Sequence, residues 1–314
     1  MQTMLTAFTT MVMMLLYAAP GFIFIKTKLI GQDGILPFSK LLLFVCQPML
    51  IIYTMTQVRY TPSLLGEMAI VFVFMLVLQF GMIALFAFLF RKRMQDARYR
   101  IYTVATCFGN YAFMGIPILN AVLPEFPNVL ACSAMCALSI NIVSWTAGCA
   151  VISQDKRYIS VKKILLNPAV IGLAVALPFF FTNTTPGAVI NPMLDEMVML
   201  LARMSTPLCM IIMGMRLALL PWGKVFGRPA LYGIIAIKQL LLPFATFLLL
   251  LLLPLSSEFS RALLVMVSCP VAAVVQNFAE LLGAGEDTGA GIVLLGTTLS
   301  AVTIPIMVLL FPFL

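Results

Sequence analysis

Ten long apolar stretches, joined by short polar connections, constrain this chain more than any other feature. They run over approximately 5–25, 35–57, 67–90, 100–123, 128–152, 164–181, 193–219, 228–254, 259–282 and 288–313. A membrane-crossing helix needs about 20 predominantly apolar residues. A bilayer offers no water to an open backbone, so only helices or closed barrels can span it. Composition points the same way: 62% of the 314 residues are hydrophobic and 10% are charged, against about half and about a quarter in soluble domains. The chain reads as an all-α polytopic membrane protein with ten transmembrane helices and no separate soluble domain. The first stretch has no basic residue before it and no small-residue cleavage site, so it reads as a retained span rather than a signal peptide.

Most enzymes are excluded by what is missing. There is no histidine, which removes Ser-His and Cys-His nucleophilic pairs and histidine-ligated metal sites. No two facing carboxylates lie at membrane depth, as an aspartyl intramembrane protease would need. All seven cysteines (Cys46, Cys107, Cys132, Cys136, Cys149, Cys209 and Cys269) lie inside apolar runs without a CxxC spacing, and read as small core hydrophobes. No enzyme activity, metal or cofactor is expected.

A net charge of +8 is not a nucleic-acid signature here, because the basic residues cluster between apolar runs. The connections after the first, third, fifth and seventh stretches, with their flanks, hold 15 of the 19 basic residues. They are Lys26, Lys28 and Lys40; Arg91, Lys92, Arg93, Arg98 and Arg100; Lys156, Arg157, Lys162 and Lys163; and Arg216, Lys224 and Arg228. Positive loops stay in the cytoplasm, so both termini are expected outside a cell membrane crossed many times.

Proline punctuation suggests an internal repeat. Pro48 in the second stretch corresponds to Pro207 in the seventh, and Pro117 in the fourth to Pro270 in the ninth. Residues 1–152 then form one five-helix repeat, 153–163 a short basic loop, and 164–314 a second repeat. An odd number of helices per copy inverts the second copy relative to the first. Inverted repeats with interrupted helices at matching positions point to a secondary transporter with its site at the interruptions. The alternative for each proline is a simple kink in a packed helix.

Buried polar side chains are the binding candidates. Asn110, Asn141 and Gln276 read either as site residues or as interhelical hydrogen-bonding partners, and Asn167-Pro168 opens the sixth stretch. Lys238 lies about ten residues into the eighth stretch, and Arg203 one turn before Pro207. Carboxylates are absent from mid-membrane. Amides, helix N-termini and a lysine suit an organic anion better than a metal ion or proton.

The run Gly109-Asn110-Tyr111-Ala112-Phe113-Met114-Gly115-Ile116-Pro117-Ile118-Leu119 resembles the fourth-helix motif of the auxin efflux carrier family. Further matches follow in order: Lys162 to Pro168, Thr206-Pro207-Leu208 to Gly214, Pro270 through Glu280, and Leu299 to Pro305. The resemblance implies two inverted five-helix repeats, similar to sodium/proton antiporters and bile-acid carriers, with broken fourth and ninth helices that cross near the substrate. It implies a scaffold of helices 1, 2, 6 and 7, often dimeric, and a moving domain of helices 3–5 and 8–10, hence elevator-type alternating access. Asn110 matches an asparagine that contacts the substrate carboxylate, Asn141 the place of a site glutamine, and Asn167 an asparagine near the cavity. Pro117, Pro270 and Gln276 complete the expected substrate site, and Lys238 stands where related carriers keep a coupling cation. Val271 and Val275 depart from the plant pattern, so malate-like or malonate-like carboxylates stand beside auxin as expected substrates. The competing functions are a sodium-coupled bile-acid-type symporter and a membrane sensor that binds without transporting.

Overall fold

The computed structural model describes residues 2–155, 157, 159, 161–220 and 227–314. Lys156, Lys224 and the side chain of Lys163, counted above among the basic loop residues, lie outside the described residues. The helices in chain order are α1 (Gln2–Lys26), α2 (Gln32–Thr56), α3 (Pro62–Leu89), α4 (Ala97–Ala105), α5 (Tyr111–Val122), α6 (Pro127–Ser153), α7 (Pro168–Thr182), α8 (Met193–Leu219), α9 (Pro229–Leu250), α10 (Ser257–Ser268), α11 (Ala273–Leu281) and α12 (Glu286–Val308). Among the described residues, seven helices are long and apolar enough to cross a membrane: α1, α2, α3, α6, α8, α9 and α12 with its continuation to Phe313. The fourth and ninth apolar stretches are each divided into two shorter helices, α4 with α5 and α10 with α11.

Helix α3 shows how an apolar sequence serves two solvents. Its buried residues, Leu64, Met68, Val71, Met75, Gln79, Ile83 and Phe86, recur every three or four positions and face the protein. The opposite face exposes Val73, Val77, Leu85 and Phe88. An outer surface of that kind is stable only against lipid.

The prolines act differently from the sequence expectation, and three of the four do not break their helices. Pro48 and Pro117 each follow a π turn, at Leu42–Cys46 and Tyr111–Gly115, inside a continuous helix. Pro243 of α9 likewise follows the π turn Ile237–Leu241. A proline lacks the N–H and its ring crowds the carbonyl four residues back, and one widened turn relieves that clash without ending the helix. For Pro117 that carbonyl belongs to Phe113, and the Thr206 hydroxyl of α8 donates to it at 3.0 Å. Pro207 sits inside unbroken α8. Only Pro270 lies in a true interruption, between α10 and α11. The break in the fourth stretch falls upstream of Pro117, between Ala105 and Tyr111.

Small residues set the tightest packing. Gly21 of α1 rests on the Ile211 carbonyl of α8, and Gly214 of α8 rests on the Ala18 carbonyl of α1. Neither position has room for a Cβ, so the two backbones touch. Helix α2 packs on α7 and α8, with Gly172 of α7 against Pro48 and the Ser205 hydroxyl donating to the Cys46 carbonyl at 3.1 Å. On the other side, α3 packs on α6, α9 and α12 pack on α10, and α11 packs on α12. Gln239 of α9 ties into α12, donating to the Gly296 carbonyl at 2.7 Å and accepting from Thr303 at 2.9 Å. All seven cysteines are buried, and none forms a disulfide.

Candidate functional site

The two interruptions meet. Gly109 and Val271 form an isolated antiparallel bridge: the Asn110 N–H donates to the Pro270 carbonyl at 2.9 Å and the Ala272 N–H to the Phe108 carbonyl at 3.0 Å. Backbone groups freed by ending four helices inside the protein thereby satisfy one another, as a low-dielectric interior demands. Gly109 carries no Cβ because the Tyr111 ring folds across it, with ring carbon Cδ1 3.1 Å from where a Cβ would stand.

Four helix ends face this bridge, and they are treated unequally. The C-terminal ends have donors. Tyr111 donates its hydroxyl to the Cys107 carbonyl at 3.0 Å, beyond the end of α4. Lys238, fully buried, donates its ammonium to the Val267 carbonyl at 2.6 Å and the Cys269 carbonyl at 3.0 Å, at the end of α10. The N-terminal ends of α5 and α11 have no side-chain cap from Asn110 or Ala272. Unpaired N-terminal amides carry partial positive charge, so the crossover presents two positive helix ends while its negative ends are neutralised.

Asn110 is buried to 4% exposure and sits at φ −80°, ψ 65°. This is the centre of an inverse γ-turn closed by the Tyr111 N–H to the Gly109 carbonyl at 2.9 Å. Its side-chain Nδ2 is buried without a hydrogen-bond partner among the described residues. The group facing it is the Cys209 thiol of α8, whose sulfur is a weak acceptor.

The other expected site residues divide. Pro270 supplies the bridging carbonyl, and Lys238 lies directly beside it. Gln276 is buried on α11 and donates to Glu280 at 2.8 Å. Asn141 is half-buried and donates to the Ala137 carbonyl of its own helix at 2.8 Å, one turn before Trp145, whose ring packs edge-on against Phe278 of α11 at 4.8 Å. Asn167 caps α7, its side chain accepting from the Ala169 N–H at 2.9 Å. Pro117 stands inside α5, past its N-terminus, so the positive end of that helix is at Asn110 and Tyr111 rather than after the proline. Arg203 is exposed on α8.

Arg216, counted above among the basic residues flanking the connection after the seventh stretch, stands in the last turn of α8 and turns inward, with 11% of its side chain exposed. Its Nη2 donates to Asn277 Oδ1 at 3.0 Å and to Glu280 Oε2 at 3.4 Å, both on α11. Glu280 therefore pairs with Arg216 and not with Lys238. The sequence signal available was periodic: Arg216 stands two turns beyond Cys209, on the face that carries Cys209 and Ile212 inward.

Because the bridge is antiparallel, α5 and α11 leave it in opposite directions. Near the far end of α5 there is a cavity of about 330 Å3, lined by Thr3, Val122, Leu123, Glu125, Arg261 and Phe311 among others. Near the far end of α11 the Arg216–Asn277–Glu280 contacts close the interface with α8.

A family model described as membrane transport protein, that of the auxin efflux carriers, matches residues 6–162 and 156–308. No curated protein matches the chain. The two family matches take in both halves of the crossover and all seven long apolar helices, so the chain belongs to the auxin efflux carrier family and is a multi-pass membrane transporter.

Proposed function

We propose that the protein is a secondary carrier for a small organic carboxylate, bound at the crossover of the fourth and ninth helices. One observation carries this reading: two uncapped helix N-termini and the unpartnered Asn110 amide surround a bridge whose negative helix ends are already neutralised. An anion there gains the dipoles of α5 and α11 and a donor that now has no partner. A metal cation or sodium ion would instead meet Lys238 on the carbonyls it needs. The fixed ammonium stands in for a coupling cation, which favours sodium-independent transport over a sodium-coupled symporter.

In this reading ten helices form two inverted repeats about residues 153–163, with both termini outside the cell membrane. Helices α1, α2, α7 and α8 form the stationary part, which pairs with a second copy, and the remaining helices move as an elevator. The Arg216–Asn277–Glu280 contacts between α11 and α8 are of the kind that alternating access must open. Asn141, Asn167 and Gln276 border the path, while Pro270 holds the bridge.

Counterflow in proteoliposomes tests the proposal. Preloading with malate or indole-3-acetate should accelerate entry of the same labelled compound, without sodium. Binding of either without trans-acceleration would make the protein a sensor and sink the carrier reading.

A further inference from the structure

The Arg216 guanidinium is nearly enclosed, and its Nε, like that of Arg100, has no hydrogen-bond partner among the described residues. Unlike Arg100, which donates to the Ile152 backbone carbonyl, Arg216 has a carboxylate beside it. A carboxylate that fills a guanidinium fork takes two parallel bonds, typically at about 2.7–2.9 Å. Glu280 makes a single contact, to Nη2, at 3.4 Å, and its other oxygen is held by Gln276. The fork is therefore half filled, and by a side chain that is 44% exposed and can turn out into water. Asn277 contributes a neutral oxygen at 3.0 Å, which steadies the guanidinium without neutralising it.

A second poorly satisfied donor stands against the same helix face. Cys209, two turns before Arg216 on α8, faces the buried Nδ2 of Asn110, and its sulfur is at best a weak acceptor for that amide. Side chains on a helix lean towards its N-terminus, so Arg216 reaches back from its own turn towards that of Cys209. Two buried, under-satisfied donors, one on α8 and one facing it, each cost free energy as they stand, and an incoming carboxylate relieves the larger cost at Arg216.

We propose that Arg216 is a carboxylate-binding residue of the transport path, and that Glu280 is a built-in ligand which the transported carboxylate displaces. The inference rests on the carboxylate-carrier reading above and adds a residue and a competitor to it. Displacement also removes one of the two bonds by which Arg216 holds α11 to α8, leaving the one to Asn277. A simple structural clasp between helices would not compete with ligand.

The test is isothermal titration of the purified full chain with malate and with indole-3-acetate. Glu280→Gln removes the competitor's charge and keeps its hydrogen-bonding shape, so affinity should rise at least about threefold. Arg216→Gln should weaken binding about tenfold or more, and Arg216→Lys, a point charge without a fork, should fall between. Unchanged or weaker binding by Glu280→Gln, in a wild type that binds, overturns this inference and leaves the carrier reading standing. Failure of the wild type to bind either compound overturns the carrier reading and this inference with it. Because Glu280→Gln retains the arginine, its result decides the matter even where an Arg216 variant does not fold.

Discussion

Asn110 donates its backbone N–H to the Pro270 carbonyl at 2.9 Å, so residues from the two halves of the chain are joined without using the Asn110 side chain. Asn110→Ala should therefore keep the crossover and the fold. It removes one amide donor to a carboxylate, a hydrogen bond to a charged group worth about 1.5–3 kcal/mol. Carboxylate affinity should fall tenfold or more by calorimetry, with the melting temperature within a few degrees of wild type. Normal transport by a folded Asn110→Ala protein would remove Asn110 from the site.

Pro117 and Pro270 should respond unequally to replacement by alanine. Helix α5 is already continuous through Pro117, and the carbonyl it crowds is held by Thr206. Pro117→Ala should transport at close to the wild-type rate. Pro270 keeps α10 from running on into α11, and an alanine N–H there invites another helical bond. Uptake by Pro270→Ala should drop several-fold, and equal losses in the two variants would contradict the assigned breaks.

Removing the ammonium of Lys238 leaves the Val267 and Cys269 carbonyls without their donor in a buried place. An unsatisfied buried group costs about 1–3 kcal/mol, so Lys238→Met should melt at a lower temperature and lose uptake. Wild-type transport should be the same in sodium and in choline medium. A sodium requirement would show that the lysine does not replace a coupling ion.

Gly21 and Gly214 sit against backbone carbonyls, which cannot rotate away as a side chain can. Adding a methyl at either position forces α1 and α8 apart, and overpacking of this kind costs about 1–3 kcal/mol. Gly214→Ala should lower thermal stability in detergent, whereas Gly233→Ala, with open space around it, should not.

Asp96 begins α4, accepting from the Arg98 N–H at 2.9 Å and pairing with the Arg98 guanidinium at 2.6 Å. The Arg98 hydrogen bond, as the largest cause, holds its carboxyl below the usual carboxylate value. A lowered folded value means that the contribution is present at neutral pH. It is lost as pH falls below the unfolded value of about 3.9 and through the folded one. The pair is exposed, so Asp96→Asn, which keeps the cap acceptor, should cost less than about 1 kcal/mol at pH 7. Melting curves of both proteins at pH 7 and pH 3 should converge at the lower pH.

Much of the candidate site was legible in the chain because it was marked by residues that lipid does not tolerate. Asn110, Lys238 and Pro270 are conspicuous in apolar runs, and the structure brings these three to one place. Pro117 misled, since a proline predicts a disturbed turn but does not say whether a π turn absorbs it. The true break lies at Phe108–Asn110, where a hydrogen-bonding partner strand is available from the ninth stretch. Arg216 was hidden for another reason: near the end of an apolar run, a charge counts equally well as loop or helix until the helix end is known.

The sequence by itself determined the class of fold, because apolar content is a sum over residues and does not depend on which residue touches which. Lipid as solvent and the absence of histidine chemistry follow from that sum and from the residue inventory. Only the tertiary structure decided where the fourth helix breaks, that Lys238 binds helix-end carbonyls, and that Arg216 faces α11. Each of those outcomes depends on a partner supplied by a distant part of the chain: Pro270 for Asn110, Val267 for Lys238, and Asn277 for Arg216. A buried donor takes the acceptor that packing brings within about 3 Å, and that distance is a property of the folded chain, not of the order of its residues.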